Sequence, residues 1–160
     1  MSTRGERRPR GIRPSQVRLA IANEHEELRR VLRDVDALAV LVMDGNRGAY
    51  EMLRLRAGQL YYALCKHTDL EDEILAPALR ETPGFGEIRE AQLLEHHREQ
   101  RDELHSALAE LSSEDEDPAE LATRIRDLLA RIRIDMAHED RDLLNDKLLK
   151  DDLIDVSFIG

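Results

Sequence analysis

Histidine and carboxylate side chains are the groups in this chain best suited to chemistry. There are six histidines, His25, His67, His96, His97, His105 and His138, and 34 acidic residues among 160. Two histidines have a carboxylate four residues on, as His67-x-x-x-Glu71 and His138-x-x-x-Asp142. In a helix that spacing puts both groups on one face, one turn apart. A single pair of this kind carries little weight, because 34 of 160 residues are acidic and any position is acid about one time in five. A lone histidine on an apolar face is also more often a packed core residue than a ligand. The joint pattern carries more. His25, His67, His97 and His138 each fall on an apolar stripe, one in each of four helical stretches, and the acidic partners lie on the second and fourth. Four imidazoles and two carboxylates converging from four helices can enclose two metal ions. The carboxylates bridge the ions and offset a charge that would otherwise be costly to bury. Mixed imidazole and carboxylate ligation suits iron, and helix-bundle cores are where such di-iron sites are built. The predicted ligands are His25, His67, Glu71, His97, His138 and Asp142.

These residues need long helices to position them, and the apolar periodicity supplies four. The first stretch runs from about Ser15 to Met43, with Ile21, Leu28, Leu32, Val35 and Val42 in line, and Asp44-Gly45-Asn46 reads as a turn. The second runs from about Gly48 to Arg80, with Leu53, Leu60, Leu64 and Leu75 in line. Pro77 should bend or end it, since proline has no amide hydrogen. Pro83-Gly84-Phe85-Gly86 is a break, and the third stretch runs from about Glu87 to Leu111. The fourth begins at Pro118, with Asp117 as N-cap, and is expected to reach about Lys150. Short links between four helices predict an all-α, up-down-up-down four-helix bundle over residues 15–150. Residues 1–14 are expected to form a disordered basic arm, and residues 151–160 a C-terminal tail.

Composition agrees with this outline. Apolar residues make up 41 % and charged residues 36 %, whereas aromatics reach only 3 %, which disfavours a β-sandwich. The first fourteen residues hold five arginines against Glu6 alone, a net +4, so the remainder carries −14 against a total of −10. An acidic body repels phosphate, so no nucleic-acid partner is predicted. The basic arm could instead meet an acidic protein partner. Cys65 is the single cysteine, which excludes an intrachain disulfide and a thiolate cluster. The longest apolar run, Ala37 to Met43, is too short to span a bilayer. The expected location is the cytoplasm.

Several residues take simpler readings. His96 should point about 100° away from His97, toward the surface. His105 lies two turns beyond His97, too far for the same metal pair. Tyr61 or Tyr62 could enter the pocket, with core packing the plainer alternative. Cys65 reads as a buried or boundary thiol.

The motifs resemble those of the hemerythrin-like, or HHE cation-binding, family over about residues 17–146. His67-Thr-Asp-Leu-Glu71-Asp-Glu-Ile-Leu-Ala-Pro77-Ala-Leu is similar to the family's second-helix motif, and Leu94-Glu95-His96-His97-Arg98-Glu99 to its third. His138-Glu139-Asp140-Arg141-Asp142-Leu143 looks like an echo of the second-helix motif, and Asn23-Glu24-His25-Glu26 fits the first-helix ligand position. Oxygen-carrying members usually have a further histidine four residues after the third-helix one, where this chain has Arg101. The remaining set is similar to that of bacterial di-iron proteins implicated in iron–sulfur cluster repair and nitric oxide responses, without their N-terminal cysteine-containing segment. Arg101 could bond a bridging carboxylate or bound anion, or extend outward.

The resemblance implies a cytoplasmic protein with two carboxylate-bridged iron ions that binds or reacts with oxygen, nitric oxide or peroxide. Its role would be sensing, iron handling or oxidative or nitrosative stress defence, and the same site serves binding or turnover. The alternative class is a metal-free helical interaction module.

Overall fold

The computed structural model describes residues 11–111 and 116–151. Its helices are, in chain order, α1 (Pro14–Met43), α2 (Gly48–Leu70), the short α3 (Ala76–Arg80), α4 (Gly86–Leu111) and α5 (Pro118–His138). The four long ones form an antiparallel bundle, as the periodicity predicts. A five-residue π-helical turn, Glu71–Leu75, joins α2 to α3, and a second, Glu139–Leu143, extends α5. α1 packs against α2 and α5, and α4 packs against the same two helices on the other side. All four therefore face one central seam.

Local chemistry sets the ends. Pro14 opens α1 where its missing amide costs nothing, and the Arg13 amide donates to Gln16 Oε1 at 3.0 Å. The Ser15 amide and hydroxyl both donate to Asp151, at 3.0 and 2.7 Å, which ties the start of α1 to the far end of the described chain. At α5, Asp117 Oδ1 accepts from the Ala119 amide at 3.2 Å and Pro118 takes the first position, as expected. Position 86, where α4 begins, has room only for glycine. A Cβ at Gly86 would lie 2.6 Å from the Arg80 carbonyl oxygen and 2.7 Å from that of Leu79.

The second helical stretch reaches Arg80, as expected, and passes Pro77 without ending. It widens in the turn before it, where the Ala76 amide donates to the Glu71 carbonyl five residues back. Pro77 has no amide for the carbonyl of Glu73, and the widened turn carries the chain past that gap. The fourth helix does not reach Lys150 but ends with its π turn at Leu143. The Asn145 side chain ends it, accepting from the Lys147 and Leu148 amides at 3.1 and 2.8 Å. The basic arm falls mostly on residues 1–10 and the tail on 152–160, outside the described residues.

The core has two parts. The larger contains Leu28, Leu32, Leu53, Leu60, Leu64, Leu104, Ile125, Leu129, Ile132 and Met136. The smaller contains Val17, Ile21, Leu75, Leu79, Leu93 and Leu149. Each fully buried Leu or Ile contributes about 1.5–3 kcal/mol. Between the two parts runs a polar layer. On α1 His25 sits between Ile21 and Leu28, and His67 on α2 and Glu71 on the π turn that follows it sit between Leu64 and Leu75. On α4 His97 sits between Leu93 and Leu104.

Candidate metal centre

Burial of His25, His67, Glu71 and His97 in this layer results from their place in the apolar frame, one or two turns from core leucines on either side. A fifth group, Glu139 on the second π turn, joins them with its side chain 12 % exposed. Both inward glutamates open a π turn. Each turn holds one extra residue, which rotates the rest of the turn and lets Leu75 and Leu143 still meet the smaller core part.

The two carboxylates span the cavity in the same way. Glu71 Oε1 lies 3.2 Å from His25 Nε2, and Glu71 Oε2 lies 3.0 Å from His97 Nε2. Glu139 Oε2 lies 3.0 Å from His25 Nε2, and its Oε1 lies 3.8 Å from His97 Nε2. Each carboxylate thus turns one oxygen to His25 and the other to His97. His67 joins the His25 side, its ring centroid 4.8 Å from that of His25 and its Nε2 against Glu71 Oε1. Donor atoms of His25, His67, Glu71 and Glu139 all lie within 4.8 Å of one another.

Electrostatics keeps this layer together without a metal. Burial lowers the His25 pKa by desolvation, but hydrogen bonds to Glu139 and Glu71 outweigh it and raise the group to about 10. The same opposition of burial against Glu139 and Glu71 raises His97 to about 10. Burial pushes the Glu71 carboxyl up, and hydrogen bonds from His25, His67 and His97 hold it well below its ordinary value. Hydrogen bonds to the carboxylates thus favour the protonated form of both imidazoles. Such buried charges are tolerable only as a closed set.

The structure brings together His25, His67, Glu71 and His97 of the predicted ligands, and not His138 or Asp142. Both of these are on the surface. The Asp142 side chain is 54 % exposed and pairs with Arg141 at 2.9 Å, which lowers its pKa. The reason is helical phase: Ile134, one turn before His138, is apolar yet 57 % exposed and lies on the outward face of α5. The inward line of α5 runs Ile125, Leu129, Ile132, Met136, and its next turn reaches Glu139. A second signal was present as a repeat: Glu71-Asp72-x-x-Leu75 returns as Glu139-Asp140-x-x-Leu143.

The remaining candidates take simpler places. Tyr62 is exposed, and Tyr61 packs on the larger core and against the His105 ring at 5.7 Å. His96 is exposed, as expected, and Cys65 is half-buried. Arg101 reaches Thr68, Asp69 and Asp72, at 3.4, 3.3 and 3.9 Å, rather than an inward glutamate.

Comparison with known proteins decides the family. The model of the hemerythrin HHE cation binding domain matches residues 19–145. The chain belongs to this family. No curated protein and no solved structure matches it. A hemerythrin-like domain implies metal binding, and the residues present fit that requirement. The Nδ1 of His67 is buried without a hydrogen-bond partner among the described residues, and its Nε2 and those of His25 and His97 crowd onto the inward glutamates, an arrangement that a metal would relieve. The carboxylates also already face two histidine positions. No described helix of this hemerythrin-like chain is long and apolar enough to cross a membrane.

Proposed function

We propose that this hemerythrin-like protein holds two non-haem iron ions and uses them to bind or react with oxygen, nitric oxide or peroxide. The observation that carries the reading is the split of each carboxylate, one oxygen toward His25 and the other toward His97. Glu71 and Glu139 are the groups that would span the two positions. His25 and His67 serve one position, and His97 alone serves the other.

That inequality locates the open side. Arg101 stands four residues after His97, where a further imidazole would complete the His97 position, and it turns instead to Asp69 and Asp72. Asp135 stands one turn before Glu139 and accepts from Gln100 Nε2 at 2.6 Å. Iron at such a centre supplies a Lewis acid and an electron donor for a small ligand. The protein contributes the rest. Leucines and isoleucines on both sides exclude water from the layer, and the buried carboxylates neutralise the charge.

An absorption spectrum of the iron(II)-loaded protein, taken with and without nitric oxide and oxygen, tests the proposal. New bands on ligand addition that vanish in Glu71→Gln are expected. An iron-loaded protein with no spectral response to any of these ligands would contradict it. Catalytic consumption of peroxide or nitric oxide would mark an enzyme, and a spectral change alone a sensor or carrier.

A further inference from the structure

The two histidines that face both glutamates each have an aspartate behind them, Asp140 hydrogen-bonded to an arginine and Asp72 only at ion-pair distance from one. His25 Nδ1 lies 2.6 Å from Asp140 Oδ1, and Asp140 Oδ2 is paired with Arg29. His97 Nδ1 lies 2.6 Å from Asp72 Oδ1, and Asp72 Oδ2 lies 3.9 Å from Arg101. The chain spacing repeats as well. Arg29 stands four residues after His25 and Arg101 four after His97, while each aspartate directly follows an inward glutamate. α1 is thus braced by the second π turn and α4 by the first. His67, on the other hand, has no such brace, and its Nδ1 has no partner among the described residues.

We infer that Asp72 and Asp140 are positioning residues, each fixing one histidine with Nδ1–H turned to the aspartate and Nε2 turned to the cavity, and that Arg101 and Arg29 hold these aspartates in place. The physical reason is the two-sidedness of imidazole. Which nitrogen is left for a metal depends on the hydrogen bond that the other makes. A carboxylate behind the ring fixes its orientation and raises its basicity. The π turns explain why glutamate and aspartate can share the work. Adjacent residues on a helix point about 100° apart. Glu71 and Asp72 therefore reach opposite edges of His97, one inside the cavity and one behind it. Glu139 and Asp140 do the same for His25. Glu26 and Asp69 make the outer contacts of Arg29 and Arg101, at 3.1 and 3.3 Å, so each guanidinium is itself held.

This inference rests on the metal reading for its consequence but not for its geometry, and two measurements separate them. The first is proton and nitrogen NMR of the metal-free protein. Two downfield, slowly exchanging Nδ1–H signals are expected, from His25 and His97. Asp140→Ala should remove the first alone and Asp72→Ala the second alone. Asp140→Asn and Asp72→Asn, which keep an acceptor oxygen, should retain them in shifted positions. The second measurement is Zn(II) affinity by chelator competition. Each alanine variant should bind about 10- to 100-fold more weakly than the parent. Glu73→Ala, an exposed change on the same π turn, should not. Signals that persist in both alanine variants would overturn the inference whatever the zinc result. So would parental zinc affinity in both alanine variants. A parent protein that shows the two signals but binds no zinc would uphold the braces and count against the metal centre.

Discussion

Asp135 occupies on α5 the place that His67 occupies on α2. Each stands four residues before a buried or near-buried glutamate, Glu139 or Glu71, that opens a five-residue π turn. The two halves of the centre match in their glutamates, aspartates and braced histidines, and differ at this position. Asp135 is drawn off toward Gln100 at 2.6 Å.

Replacing Asp135 with histidine should therefore add a second imidazole on the His97 side. Asp135→His places a ring one turn from Glu139, on the side served by His97 alone. We expect tighter metal binding by about tenfold or more, or about 1.4 kcal/mol, in chelator competition. Unchanged or weaker binding would show that the residue does not face the centre.

The phase of α5 gives a sharper contrast. Glu139→Gln should weaken metal binding strongly, because it removes a charge facing both His25 and His97. His138→Ala and Asp142→Ala should leave affinity within about twofold, because both side chains are on the surface, where substitutions rarely matter beyond about ±0.5 kcal/mol. Calorimetric titration of the three variants reads this directly. The opposite ranking would restore the ligand set that the i, i+4 spacing predicts.

The metal-free protein should lose stability in alkali. His25 and His97 are raised from 6.5 to about 10 in the fold. A raised folded pKa gives stabilisation that is complete below the unfolded value of 6.5 and is lost as pH rises through about 10. Thermal melts of chelator-treated protein should show Tm falling between those limits, and His25→Gln should flatten the slope. A Tm independent of pH across that range would contradict the paired-charge account. Glu71, held low, acts at the other end. Its contribution is lost as pH falls below its ordinary carboxylate value of 4.5.

Gly86 opens α4, the helix that carries His97. Its added Cβ would meet two backbone carbonyls that cannot move aside, at 2.6 and 2.7 Å. Gly86→Ala should cost about 1–3 kcal/mol in urea unfolding, as overpacking does. Metal affinity should fall with it, since α4 must shift. Unaltered stability would mean that the α3–α4 corner relaxes freely.

The bundle was legible because four long amphipathic stretches leave few other ways to bury their stripes. So were His25, His67, Glu71 and His97, each flanked by apolar residues that do form the core. The inward face of the fourth helix was not, because Ile134, one turn before His138, is apolar yet exposed. Near the end of a helix a single residue of phase error turns a side chain about 100°. The π turns were also beyond reach, since periodicity counting assumes a constant 3.6 residues per turn. The Asp72 and Asp140 braces lie on the far sides of histidines contributed by other helices. Only the assembled bundle pairs them, because sequence separations of 25 and 115 residues carry no local pattern.

The most direct test is the number of iron atoms per chain after anaerobic loading with iron(II) and removal of excess metal, read by elemental analysis. Two carboxylates that each face two histidine positions predict two irons per chain in the parent, falling to one or none in Glu71→Gln. One iron or fewer in the parent protein would contradict the two-metal centre.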